Sequence, residues 1–417
     1  MNNNKNKLNI LLSAYACEPY KGSEPSVGWN WALNLSKKHN VYVITRKNNK
    51  EIIEKFLKEN KIYKNNLTFY YYDCSNKIVN LKNKIPYGIF VYYKLWQKGA
   101  KKLAESIINK EKIDIIHHVT FNEFRTPGYM SKLNKPFVWG PIGGGQYYNT
   151  IFNNYMSSGK VIFNEKVRNI INYAISKKYN IKKSINCSEV VLIADKSTEK
   201  ILPKKFNGKY IRMLETAYYH NINFERSYNL NKNKRIRLLW VGNIIPRKGL
   251  PILIEALKTI DKNMYELVVI GDGAELEYCI SKVDEYGLND NIKFKGKIPY
   301  EKITKWYKQC DLFIFTSIRD TSGNVVLEAM EHGLPVIAFN HHGVADIVNN
   351  ECGTLIDLNN NYEIIKDLRN SIMYYYNNRL EVQRKGNNAR HRIKEKYTWD
   401  KKMEEIDKIY SLIMESK

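Results

Sequence analysis

Short apolar runs recur along the chain with helix-length stretches between them, and this alternation restricts the fold to parallel sheets covered by helices. In the first half the expected strands are Asn9 to Ala14, Val41 to Thr45, Leu67 to Tyr72, Asp114 to His118, Phe137 to Gly140 and Val190 to Ala194. In the second they are Arg237 to Val241, Glu266 to Gly271, Ile292 to Gly296, Leu312 to Thr316, Val336 to Phe339 and Gly353 to Ile356. Both halves therefore read as doubly wound α/β domains. A chain of 417 residues is too long for one core, and two domains follow. We expect a first domain over residues 1–217, a second over 236–395, and a closing helix over 396–417 able to return to the first. The polar stretch Tyr218 to Arg235 reads as the linker. Residues 147–183 break the alternation as a helical excursion of the first domain, rich in Tyr, Asn, Ile and Lys. That excursion reads either as a solvated helical cover or as an amphipathic face toward acceptor or membrane.

Lys and Arg outnumber Asp and Glu by 67 to 42, a formal charge of +25. This attracts phosphorylated substrates, anionic lipid or nucleic acid, and does not choose among them. The six scattered cysteines show no metal-ligand spacing and read as reduced thiols. The run from Ile10 to Ala16 reads as a first strand, not a signal peptide, and no segment is long and apolar enough to span a bilayer. A cytoplasmic protein is expected, with a peripheral place on the inner face of the membrane if it meets lipid at all.

Chemistry concentrates at strand ends. After the first strand, Gly22, Ser23 and Gly28 mark a turn into a helix beginning near Val27, with Glu18 and Glu24 able to orient a hydroxyl-rich ligand. After the fourth come His117 and His118, of which alternation lets one enter a cleft; His118 is the choice, and Asn122 follows in its loop. Gly143, Gly144 and Gly145 follow the fifth, where the entropy cost of three glycines favours close approach of a ligand or a mobile loop. In the second half, Asn243, Arg247 and Lys248 follow the first strand as a diphosphate clamp, and Gly271 and the Lys297-Ile298 edge end the next two. Asp320 and Glu328 stand eight residues apart around Thr321-Ser322-Gly323 and a helix start, the layout that grips a sugar on a nucleotide diphosphate. An ordinary capped helix gives the same spacing.

These residues together resemble the retaining glycosyltransferases of family 4, of GT-B fold, most strongly from Leu239 to Ile356. Glu328-Ala329-Met330 and Gly333-Leu334-Pro335-Val336 match that family's pattern. The resemblance implies two Rossmann-like domains facing a central cleft. Glu328 would take the ribose hydroxyls, Lys248 the diphosphate, Ile298 or its neighbour the base, and the Thr321 to Gly323 backbone the sugar and phosphate. His118, Asp320 and Lys248 would carry catalysis, Gly22 and Ser23 would complete the donor site, and Glu24, Asn122, Gly143 and Gly144 would meet the acceptor. Three departures stand out. The first acid is Asp320 and not Glu, Asn243 stands where the family has Arg, and an ungapped match would put Val119 at the sugar-contacting His.

The implied reaction is transfer from a nucleotide-diphosphate sugar, with retention and without metal or cofactor, to a glycan or polyprenyl-diphosphate-linked acceptor. Capsule or lipopolysaccharide synthesis is the expected setting, an anionic membrane surface a further expected partner, and nucleic acid not one. The alternatives are a nucleotide-sugar epimerase of the same fold and, less well matched, a basic nucleic-acid-binding protein.

Overall fold

The computed structural model describes residues 7–63, 65–82, 84, 88–121, 123–219, 226–228, 230–231 and 234–416. They divide into two compact units. The first comprises 1–145, 171–216 and 399–417; the second comprises 146–170 and 217–398.

The first unit is built on a seven-stranded parallel sheet. Its strands are β1 (Asn9–Ser13), β2 (Asn40–Arg46), β3 (Leu67–Tyr72), β4 (Ile115–His118), β5 (Phe137–Ile142), β6 (Val190–Ile193) and β7 (Lys209–Arg212), in the order 3-2-1-4-5-6-7. The six expected strands are present within a residue or two of their expected ends. β7 was not expected, because its four residues carry a charge at each end. That same composition suits an edge strand, where Lys and Arg discourage further pairing. β1, β4, β5 and β6 are buried almost without interruption, as strands covered on both faces must be.

The second unit has a six-stranded parallel sheet of β8 (Ile236–Val241), β9 (Tyr265–Ile270), β10 (Ile292–Phe294), β11 (Leu312–Phe315), β12 (Val336–Phe339) and β13 (Gly353–Ile356). The order is 10-9-8-11-12-13. Its core gathers β8, β9 and β11 with the helix Leu250–Leu257, which is apolar on nearly every face and correspondingly buried.

Two segments differ from the sequence reading, the excursion and the linker. Within the excursion, a 3-10 turn (Thr150–Tyr155) and two helices (Gly159–Ser176 and Tyr179–Asn186) form, and residues 146–170 pack with the second unit and not the first. Phe152 explains part of this, being fully buried in the second unit's core beside Phe339. The expected linker is also partly pinned: Arg226 is largely buried, and its guanidinium donates to the carbonyls of Tyr307 and His332 at 2.8 Å each. The closing helix Trp399–Glu415 belongs to the first unit, where Tyr410 meets His117, Asp407 meets His39 and Lys38, and Trp399 lies edge-on to Trp31.

Candidate functional site

In each sheet the chain winds outward in both directions from one point, between β1 and β4 in the first unit and between β8 and β11 in the second. Loops leaving the carboxyl ends of those strands diverge there and open a crevice for ligand. In the second unit the loop after β8 carries Arg247 and Lys248 in a short 3-10 turn, and the loop after β11 carries Ser317 to Gly323. Gly249 lets them meet: it is left-handed at φ +63°, and a Cβ there would lie 2.3 Å from the Thr316 carbonyl. The Ile318 N–H donates to the Arg247 carbonyl at 2.8 Å, and the Thr316 hydroxyl to that of Lys248 at 3.2 Å.

Two cations converge on Asp320. The Lys248 ammonium pairs with its Oδ2, and Arg247 Nη1 lies 3.7 Å from the same oxygen while donating to the Arg319 carbonyl at 3.3 Å. The Thr321 N–H supplies Oδ1 at 3.0 Å. Burial pushes the Asp320 carboxyl up, but Lys248, Arg247 and the Thr321 N–H outweigh it and hold the carboxyl below its ordinary value. The arrangement is a compact cluster in which one carboxylate holds two cations, Lys248 and Arg247, at the mouth of the loops. Asn243 is exposed, and Gly271 donates its N–H to the Gly296 carbonyl at 3.0 Å, tying the loops after β9 and β10. Lys297 is exposed and Ile298 half-buried just beyond.

Glu328 sits in the helix Asn324–Glu331, which opens at a left-handed Gly323, and its Oε2 accepts from the Tyr307 hydroxyl at 2.9 Å. Tyr307 is buried and stacks on His332 at 5.2 Å between centroids. Sequence reasoning missed Tyr307, which lies in the lysine-rich helix Tyr300–Gln309. It also missed the loop after β12. Gly343 packs so closely that a Cβ would lie 1.5 Å from the Thr321 carbonyl, and His341 Nε2 lies 2.9 Å from the Ser317 carbonyl. Burial pushes His341 down to about 4. These residues brace the Asp320 turn from below, and their signal in the sequence was a strand ending in Asn-His-His-Gly. Arg319 forms a bidentate pair with Glu165 at 2.9 and 2.8 Å, so the helix beginning at Gly159 buttresses the same turn.

The first unit places its expected residues differently. Both histidines are buried. His117 is bonded to the Tyr410 hydroxyl at 2.6 Å and the Gly140 carbonyl at 2.8 Å. His118 has Ser13 Oγ at 2.9 Å from Nδ1 and the Tyr93 hydroxyl at 3.1 Å from Nε2. Gln97 donates to Tyr93 at 2.9 Å, which turns the tyrosine proton toward His118 Nε2; Nδ1 then carries the imidazole proton and donates to Ser13. Burial pushes His117 down to about 3 and His118 to about 4. Direct contact of His118 with a sugar is thus corrected: both ring nitrogens are committed inside the core.

The helix expected near Val27 begins at Ser23. Gly28 lies inside it and is a packing residue, a Cβ there falling 2.1 Å from the Ala16 carbonyl. Gly22 has open space around it. Glu24 accepts the Phe121 N–H, holding that residue at φ +62°, and Glu18 pairs with Lys21 at 2.8 Å; neither stands ready to orient a ligand. The Gly143 carbonyl takes the Phe124 N–H at 3.1 Å and that of Gly144 the Asn172 amide at 3.0 Å. Gly145 is fitted against Thr198, at 2.5 Å from a Cβ to its Cα, so packing accounts for that glycine. Asn122 lies outside the described residues.

Residues 221–392 match the family model described as Glycosyl transferases group 1. Among curated proteins, the chain is 27% identical over 203 residues to an uncharacterized glycosyltransferase of Methanocaldococcus jannaschii, MJ1607, covering 48% of this chain and 51% of that one. It is 25% identical over 155 residues to the amylovoran biosynthesis glycosyltransferase AmsD of Erwinia amylovora, covering 37% and 44%. It is also 25% identical over 222 residues to the protein CapJ of Staphylococcus aureus, covering 50% of each. The chain thus spans about half the length of the curated relatives it matches. Among solved structures, Anabaena Alr3699/HepE with UDP and glucose matches at TM-score 0.61 and 14% identity, over 97% of this chain and 99% of that one. Sucrose-phosphate synthase of Thermosynechococcus elongatus matches at 0.66 and 18%, over 99% and 100%. At such identities the structural likeness speaks for the fold: two parallel-sheet Rossmann-like domains of GT-B type.

Proposed function

We propose that this protein is a glycosyltransferase that moves a sugar from a nucleotide-diphosphate sugar to a glycan or lipid-linked acceptor, in the synthesis of a surface polysaccharide. The observation that carries this reading is the convergence of Lys248 and Arg247 on Asp320 at the switch point of the second sheet, inside the stretch that matches the group 1 model. Relatives named for amylovoran and lipopolysaccharide core synthesis, and a fold neighbour solved with UDP, agree with it.

In this reading the donor diphosphate takes Lys248 and Arg247 from Asp320, Glu328 accepts the ribose hydroxyls, and the backbone beside Ile298 meets the base. Asp320, released from Lys248, then faces the sugar. The bond from the anomeric carbon to the diphosphate oxygen breaks as the acceptor oxygen bonds to that carbon on the same face. The acceptor proton passes to the departing diphosphate, whose charge the two cations stabilise. Asp320, Lys248 and Arg247 would do this work without a metal or cofactor. Since His118 is occupied, the first unit's part is assigned to its strand-end loop around Gly143-Gly144, where we place the acceptor.

No helix among the described residues is long and apolar enough to cross a membrane, and a peripheral place on the inner membrane face fits a lipid-linked acceptor. A panel of UDP-, GDP- and other nucleotide sugars, with and without acceptor and with a chelator present, tests the proposal. Acceptor-dependent release of nucleotide, with an unchanged anomeric configuration in the product, supports it. Donor isomerised without acceptor would point to an epimerase instead.

A further inference from the structure

One groove of the first unit has no part in the donor site. It runs between the start of the helix Gly88–Lys110, the loop from Arg125 to Lys135 and the helix Tyr179–Asn186, and encloses about 1170 Å³. Around the rim stand Lys94, Lys132 and Lys183, all exposed and none in an ion pair with a described carboxylate. Tyr129 and Tyr179 present ring faces beside two of them, at 4.5 and 6.0 Å from the Lys132 and Lys183 ammonium groups.

We propose that this groove binds an acidic oligosaccharide. Cations at the rim suit carboxylate or other anionic substituents, and tyrosine rings suit the apolar faces of sugars. A lipid tail fits less well, because polar groups of Asn134, Asn180 and Asn186 stand among the lining residues and would be desolvated against an acyl chain. The proposal stands apart from the transferase reading, since it concerns a different site and its test contains no nucleotide sugar.

The test is calorimetric titration of the full chain with an oligogalacturonate hexamer, beside maltohexaose, inorganic phosphate and phosphatidylglycerol vesicles. The hexamer is expected to bind and the neutral sugar to bind at least about tenfold more weakly. The variant carrying K94E, K132E and K183E should lose about tenfold or more in hexamer affinity. A control carrying K262E, K302E and K366E on exposed sites of the second unit changes net charge equally and should leave affinity within about twofold. Equal losses in both triple variants, binding to vesicles but not hexamer, or no hexamer binding would each overturn the proposal.

Discussion

Lys248 and Asp320 stand 72 residues apart in the chain and are brought into one ion pair where the loops after β8 and β11 meet. Each partner masks the other's charge, so in the proposed reaction the pair is a resting arrangement that an arriving diphosphate would have to open.

Replacing Asp320 with Asn should therefore separate binding from transfer. With the carboxylate gone, Lys248 and Arg247 are freed, and nucleoside diphosphate should bind as well as before or a few-fold tighter. Transfer should fall by about a hundredfold or more. Isothermal titration beside initial rates reads both quantities; loss of nucleotide affinity in step with the rate would refute the role given to Asp320.

Lys248→Ala should lower donor affinity and turnover together, by about 10²-fold in kcat/KM, because the proposed reaction uses the ammonium both in the bound donor and in the departing diphosphate. Glu328→Gln should act mainly on the donor KM, raising it by about tenfold, since the contact to the ribose proposed for it is the same before and during transfer. Steady-state kinetics on the donor found active in the panel distinguishes the two patterns.

The Arg319 and Glu165 side chains are 18% and 14% exposed and meet in fork geometry. A double-mutant cycle with Arg319→Met and Glu165→Gln, read by urea unfolding, should give a coupling of about 1 kcal/mol, above the usual surface pair. A coupling of zero would mean the first part of the 159–176 helix does not brace the Asp320 turn.

Acid should destabilise the first unit well before its carboxylates titrate. Unfolded histidine takes its proton near 6.5, whereas His117 and His118 when folded take theirs only near 3 and 4. Between those values the unfolded state binds more protons, so stability is lost as pH falls, by up to about 1.4 kcal/mol per pH unit for each histidine. Calorimetry between pH 7 and pH 5 should show this, with imidazole signals of both residues staying neutral. Titration of either ring near its ordinary value would contradict the burial seen here.

Most of the scaffold was legible because buried parallel strands carry a strong signal: β3, β12 and β13 coincide with their expected bounds. The donor-side loops were legible for the same reason, since Arg247, Lys248 and Asp320 follow strands whose ends could be read. What failed were inferences about direction and partner. Adjacent His117 and His118 both turned inward, one toward Tyr410, almost three hundred positions along, and the other toward Tyr93, and no local pattern encodes such partners. Gly28, read as part of a turn, and Gly145, read as ligand-facing or mobile, both serve close packing within the protein, a distinction that depends on what lies opposite them. Tyr307 and the His341 to Gly343 loop escaped notice because their importance lies in what they support.

The placement of Trp399–Glu415 bears on the order in which the protein can assemble. His117, buried deep beside β1, finds one of its two hydrogen-bond partners only in Tyr410, and the buried Lys402 ammonium reaches back to the Leu214 carbonyl at 2.5 Å. Ribosomes deliver the first unit's sheet early and its covering helix last, after the whole second unit has emerged. The half of the protein made first is thus the half that must wait, its Trp31 and His117 face uncovered until residues 399–416 are synthesised, while the second unit has all its strands in hand by then.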